Sequence, residues 1–172
     1  MSKEPLSQPK AINLARKWEN PLLRSGLALA GANHALRSED TENSDGILTA
    51  EKVLGLKLRG TDLVVLSACE TGLGRVKNGE GVYGLRRAFS QVGAKSLVMS
   101  LWKVPDKETQ ELMEEFYQNL DSGMTSAQAL RQAALKQKER VQQRYLGPNP
   151  FYWGAFVFQG EAGLVSQKKP LC

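Results

Sequence analysis

Residues 63–74 read LVVLSACETGLG. Leu63 to Ala68 is apolar except for Ser67 and carries two adjacent valines, a short run whose length and β-branching predict a strand buried on both faces. Glycines at 72, 74, 79, 81 and 84 make the following stretch a loop. Cys69, Glu70, Thr71 and Gly72 therefore sit where the strand gives way to the turn. In layered α/β folds, reactive groups collect just beyond the carboxyl ends of the strands. A thiol in that place is reachable from outside the sheet, and the main-chain N–H groups of the turn can face an oxyanion. Position alone leaves two readings open for Cys69, a nucleophile or a small core filler.

The pattern on either side supports the layered reading. From about Glu80 a helix is predicted, with Val82, Leu85, Phe89 and Val92 at three- and four-residue spacing and Gly93 to end it. SLVMSLW (96–102) reads as a second buried strand. Asp106 opens a helix with Leu112, Met113, Phe116 and Leu120 on one stripe, stopped at 121–123. Thr125 and Gln128 form a potential capping box for a further helix, whose Ala127, Ala129, Ala133 and Ala134 permit close packing. GPNP (147–150) breaks the chain, and YWGAFVFQG (152–160) reads as a last strand. Upstream, 21–33 is a short strand or inner loop and 34–46 an exposed loop. Thr49 caps a short helix over about Ala50–Leu54 that Gly55 ends. Strand, helix, strand, two helices, strand predicts an α/β fold with a largely parallel sheet. Residues 1–19 read as a loose N-terminal arm and 161–172 as a polar tail.

Composition narrows the function classes. At 172 residues, with 41% hydrophobic and 24% charged residues, the chain is long enough for one domain with a real core. Mean hydropathy is −0.36. No apolar run approaches the length of a membrane span, and MSKEPLSQPK lacks the apolar stretch of a secretory signal. A cytoplasmic location follows as the expectation, with thiols reduced. One histidine, His34, and two distant cysteines, Cys69 and Cys172, leave no metal-ligand spacing. No metal or cofactor is expected. The net charge is +5, and between Arg131 and Arg144 five basic residues stand against Glu139. Without stacking aromatics this reads as a solvated helix face, so no nucleic-acid partner is expected.

Five segments together carry a resemblance: NPLLRSGLALAGAN (20–33), DGILTAEKVLGLKLRGTDLVVLSACETGLG (45–74), NGEGVYGLRRAF (78–89), GAKSLVMSLWKVPD (93–106) and NPFYWGAFVFQG (149–160). In this order they closely resemble the C-terminal part of CHAT domains. These are caspase-like proteins of bacteria, often found behind tetratricopeptide repeats. The resemblance implies a three-layer α/β/α sandwich with a mostly parallel sheet. It also implies a cysteine peptidase whose nucleophile, the cysteine of Ser-Ala-Cys-Glu-Thr-Gly, maps onto Cys69. Around it, Glu70, Gly72, Trp102 and Asp45 become candidates for the substrate cleft. For Asp45, a turn-forming Asp-Gly is the competing reading; for Trp102, core packing.

The family's base is the histidine of a His-Gly pair upstream of the NPLLRSGLALAGAN segment. This sequence contains no His-Gly, and His34 falls at a different, loop-like position. An unassisted thiol with a pKa near ~8.5 is only a few per cent thiolate at neutral pH. Losing a nucleophile's base costs on the order of 10⁴-fold, and Glu70 beside the thiol raises its pKa further. The expectation is a truncated or split domain, with the N-terminal strands absent, inactive unless completed. Its partners would be a peptide or protein substrate, or a complementary or repeat-containing chain. The alternative is a non-catalytic interaction module of the same fold.

Smaller features read plainly. GEGVYG (79–84) matches a dinucleotide-binding pattern but stands some ten residues from the strand end, so its glycines serve turns. Arg86 and Arg87 read as helix surface, with one of them a candidate anchor for a substrate carboxylate. Trp153, Phe156 and Phe158 read as core.

Overall fold

The computed structural model describes residues 21–23, 26–32, 46–67 and 80–165, with the side chains of 21 and 80–83 left aside. Gly26–Ala28 (β1) pairs antiparallel with Ile47–Thr49 (β2). Ala50–Val53 (α1) follows directly, capped by the Thr49 hydroxyl, which accepts from Lys52 N at 3.2 Å. Next come Leu63–Leu66 (β3), Glu80–Gln91 (α2), Ser96–Ser100 (β4), Asp106–Asp121 (α3), Ser126–Tyr145 (α4) and Phe156–Gly160 (β5). A single 3₁₀ turn, Pro150–Tyr152, precedes the last strand.

The main described sheet has the order β3-β4-β5. β3 and β4 run parallel, with Leu66 opposite Met99; β5 joins antiparallel, with Phe156 opposite Ser100 and Gly160 opposite Ser96. Successive side chains of a strand point to opposite faces, and here the alternation sorts two cores. Leu66, Leu97 and Met99 pack with Leu85, Ala88 and Phe89 of α2 and with α1. Val98 packs on the other side with Leu112 and Phe116 of α3 and Ala129 and Ala133 of α4. The result is the expected α/β/α layering, with a sheet that is parallel at β3–β4.

The helices form for the reasons their sequences give. The α3 stripe buries Leu112 and Phe116 at 1% and 0% exposure; truncating a phenylalanine this enclosed costs about 3–5 kcal/mol. The alanines of α4 let it lie close against α3. The capping box closes both ways, with Gln128 N donating to Thr125 Oγ1 at 3.4 Å and Thr125 N donating to Gln128 Oε1 at 3.3 Å. Gly93, at φ 102°, ends the α2 turn against Arg59, where a Cβ would come within 3.1 Å of backbone.

Three expectations shift. Full burial on both faces belongs to β4, every residue of which is buried, whereas β3 is half-buried except at Leu66. β4 has a partner on each side; β3 pairs only with β4 among the described strands. Trp153 is half-buried at the rim, its Nε1 donating to Pro148 O at 3.1 Å, with Lys138 Nζ 5.6 Å from the ring centroid. The basic run of α4 is no merely solvated face, because Lys136, Arg140 and Arg144 pair with Glu115, Glu111 and Glu108 of α3.

Candidate functional site

Parallel pairing puts the carboxyl ends of β3 and β4 at one end of the sheet. In sequence, Cys69 stands three residues after Leu66 and Trp102 three residues after Met99, the residues that face each other in that register. Cys69, Glu70, Gly72, Asp45 and His34 lie outside the described residues, as does Cys172. Trp102 is described, and the core-packing alternative does not hold for it. It is 37% exposed at the rim beyond β4.

This rim is built from residues far apart in the chain. Leu101 N donates to Ala155 O at 2.9 Å, continuing the β4–β5 pairing past the strand end. The Trp102 indole N–H donates to Phe151 O, also at 2.9 Å. Phe151 meets the Tyr152 ring edge-on at 5.2 Å, and Tyr152 stacks on Tyr145 at 4.6 Å and 10°. The Tyr145 hydroxyl donates to Glu108 Oε1 at 2.9 Å. Glu108 is 2% exposed in the first turn of α3, only six residues after Trp102. Val104, 2% exposed, seats the connection between them in the core. Trp102, Phe151, Tyr152, Tyr145, Glu108 and the segment 103–107 thus close a ring.

The charges beneath this ring are paired. Arg144 bridges Glu108 at 2.7 Å and Glu111 at 2.6 Å, which raises its own pKa and holds the Glu111 carboxyl below the usual carboxylate range. Hydrogen bonding to Glu108 raises the Tyr145 hydroxyl above its ordinary pKa. Further along the two helices, Lys136, hydrogen-bonded to Glu115, lowers that carboxyl as well. The buried Gln137 amide donates to Glu111 at 3.1 Å, whereas the buried Thr109 hydroxyl of α3 has no hydrogen-bond partner among the described residues.

Arg86 is not part of this rim. Its Nε donates to Gln159 at 2.5 Å, and Gln159 sits opposite Leu97, beside the start of β4. A cavity of about 380 Å³ lined by Arg86, Arg87, Ser90, Gln91 and Gln159 lies there, at the sheet end remote from Trp102. Both Arg86 and Arg87, the pair from which a substrate-carboxylate anchor is expected, thus line this cavity and not the Trp102 rim. Among the described residues no group of three or more His, Cys, Asp or Glu side chains could hold a metal ion, and no helix is long and apolar enough to cross a membrane.

Sequence reasoning reached Trp102 but missed Phe151, Tyr145 and Glu108 around it. One signal was present: Asp106, Glu108, Glu111, Glu114 and Glu115 open one helix, and the next ends on Lys136, Lys138, Arg140 and Arg144. Two such helices joined by a short turn lie antiparallel and match charge to charge.

Comparison with known proteins agrees with this architecture. The CHAT domain family model matches residues 10–161. Tetratricopeptide repeat protein 28 of Mus musculus is 32% identical over 114 residues, and its Homo sapiens counterpart 33% identical over 114. Each match covers 66% of this chain and 4% of the relative's length. The chain belongs to the CHAT domain family and has its caspase-like α/β fold.

Proposed function

We propose that this chain is the nucleophile-bearing part of a caspase-like cysteine peptidase, with Cys69 as the attacking group. The observation that carries the reading is the parallel β3–β4 pair, because the segment leading to residue 69 and the Trp102 rim leave the sheet at the same end. In the reaction, the Cys69 thiolate attacks a peptide carbonyl carbon. The tetrahedral oxyanion is stabilised by main-chain N–H groups that follow Cys69 in sequence. The C–N bond then breaks, the amine leaves with a proton from the protonated base, and water hydrolyses the thioester. A histidine from a longer form of the chain, or from a partner, serves as the base. The Trp102 indole has one N–H and donates it to Phe151 O. What it offers a peptide is therefore apolar contact, with Glu70 and Asp45 as further candidates along the cleft. This chemistry suits a reducing compartment, and we place the protein in the cytoplasm.

A second reading is favoured by one fact: His34 is the sole histidine and no His-Gly occurs in these 172 residues. On that reading the domain binds a protein partner, such as a repeat-containing chain like those that name its relatives, and cleaves nothing. The test uses the natural protein purified from its host and a peptidyl acyloxymethyl ketone, a reagent that alkylates activated cysteines. Labelling of Cys69 at a rate set by a pKa well below ~8.5, with peptide cleavage lost in Cys69→Ala, is the expected result. Labelling that follows an ordinary thiol titration, with no cleavage, overturns the peptidase and leaves the binding module.

A further inference from the structure

We propose that Tyr152 and Tyr145 are positioning residues, a side-chain clamp that fixes Trp102 at the rim from below. The inference rests on the reading of this sheet end as a substrate cleft. Residues 101–103 are exposed and outside any strand or helix, and such a segment ordinarily samples several conformations. Here it is tied on both sides. On one side, Trp102 Nε1 reaches Phe151 O at 2.9 Å, and Pro150–Tyr152 is itself set as a 3₁₀ turn by Asn149, whose Oδ1 accepts from Phe151 N at 3.0 Å. On the other, the chain plunges through buried Val104 into α3, where Glu108 takes the Tyr145 hydroxyl. The near-parallel stack of Tyr145 on Tyr152 joins the two sides.

Each link is of ordinary strength, and the consequence lies in their closure. A flat indole held by one hydrogen bond rotates out when its acceptor moves; here the acceptor's neighbour is stacked on a helix end whose own hydroxyl is pinned to a buried carboxylate. Tyr145 and Tyr152 touch no substrate in this scheme. They act through Trp102, and a displacement of order 1 Å at a binding wall is enough to cost rate and affinity.

The test uses the full natural protein labelled with 5-fluorotryptophan, with the Trp102 fluorine resonance assigned by its loss in Trp102→Phe. Tyr152→Ala shifts and broadens that resonance and raises KM for a cleaved peptide about fivefold while kcat changes less than about twofold. Tyr145→Phe, which deletes only the hydroxyl, moves both readouts the same way by less. Glu115→Gln, which cuts the α3–α4 ion pairs to Lys136 and Arg140 away from the ring, leaves the resonance in place; a general loosening of the helix pair would move it. An unshifted Trp102 resonance in Tyr152→Ala, or one shifted equally by Glu115→Gln, overturns the clamp. A shifted resonance in a protein that cleaves no peptide keeps the clamp and overturns the peptidase reading instead.

Discussion

The two ends of β4 are closed by different means. At its amino end the closure is mostly main chain: Lys95 N donates to Thr61 O at 3.0 Å, Glu161 N donates to Lys95 O at 3.0 Å, and Lys95 Nζ pairs with Asp62 at the surface at 2.7 Å. At its carboxyl end, past the main-chain bond from Leu101 N to Ala155 O, the closure runs through the side chains of Trp102, Tyr152 and Tyr145, over the buried Glu108 carboxylate. Main-chain closure fixes a fold and tolerates most side chains. Side-chain closure is costlier to build, because Glu108 must be desolvated and then fully paired, and it fixes the pose of particular groups. The end rich in such groups is the end where the candidate site lies.

Substitution can break this contrast, and the largest effect is expected at the amino end. Gly160 has φ 114°, and a Cβ there would sit 2.2 Å from Lys95 O and 2.8 Å from Ser96 Cα. Gly160→Ala is expected to lower unfolding stability by about 3 kcal/mol in a urea titration; an unchanged midpoint would show that main-chain closure of this end is slack. At the carboxyl end, Glu108→Ala removes one of the two carboxylates that pair with Arg144 and the acceptor of the Tyr145 hydroxyl, at an expected cost of about 2 kcal/mol. The same titration checks it, and a stabilised variant would mean that desolvating Glu108 outweighs its pairing.

Acid sharpens the comparison. Glu111 and Glu115 have folded-state pKa values below their ordinary ones. Their contribution is present above the unfolded value near ~4.3 and is lost as pH falls through the lowered folded values. Amide exchange should therefore quicken along α3 and α4 below about pH 4 before it does in the β4–β5 ladder; the reverse order would refute the assignment. The smallest effect is expected from Lys95→Met. That ion pair is exposed, and removing it should leave the denaturation midpoint unchanged within error.

The sequence carried the layered fold well because most elements announced themselves locally, β2 excepted. The Thr125–Gln128 box, the α3 stripe and the valines of β3 and β4 are all decided within a few residues. β3 and β4 read alike as apolar runs, yet only β4 is wholly buried, since burial depends on how many neighbours a strand acquires. The rim was legible only at Trp102. Its other members are a tyrosine at a helix end and the Tyr152 ring stacked on it, a phenylalanine whose contribution is a carbonyl, and a glutamate that meets its arginine 36 residues later. None of these has a local pattern, because the information lies in how α3 and α4 are laid side by side.

The antiparallel course of β5 has a practical outcome. After Gly160 the chain emerges beside Lys95, and Ser126 N donates to Gly163 O at 3.3 Å, next to the turn between α3 and α4. Whatever is attached downstream of Val165, whether a reporter, an affinity handle or another domain, therefore takes its departure from the face opposite Trp102. A tether joined directly at Val165 leaves from the sheet end away from the rim and keeps clear of it.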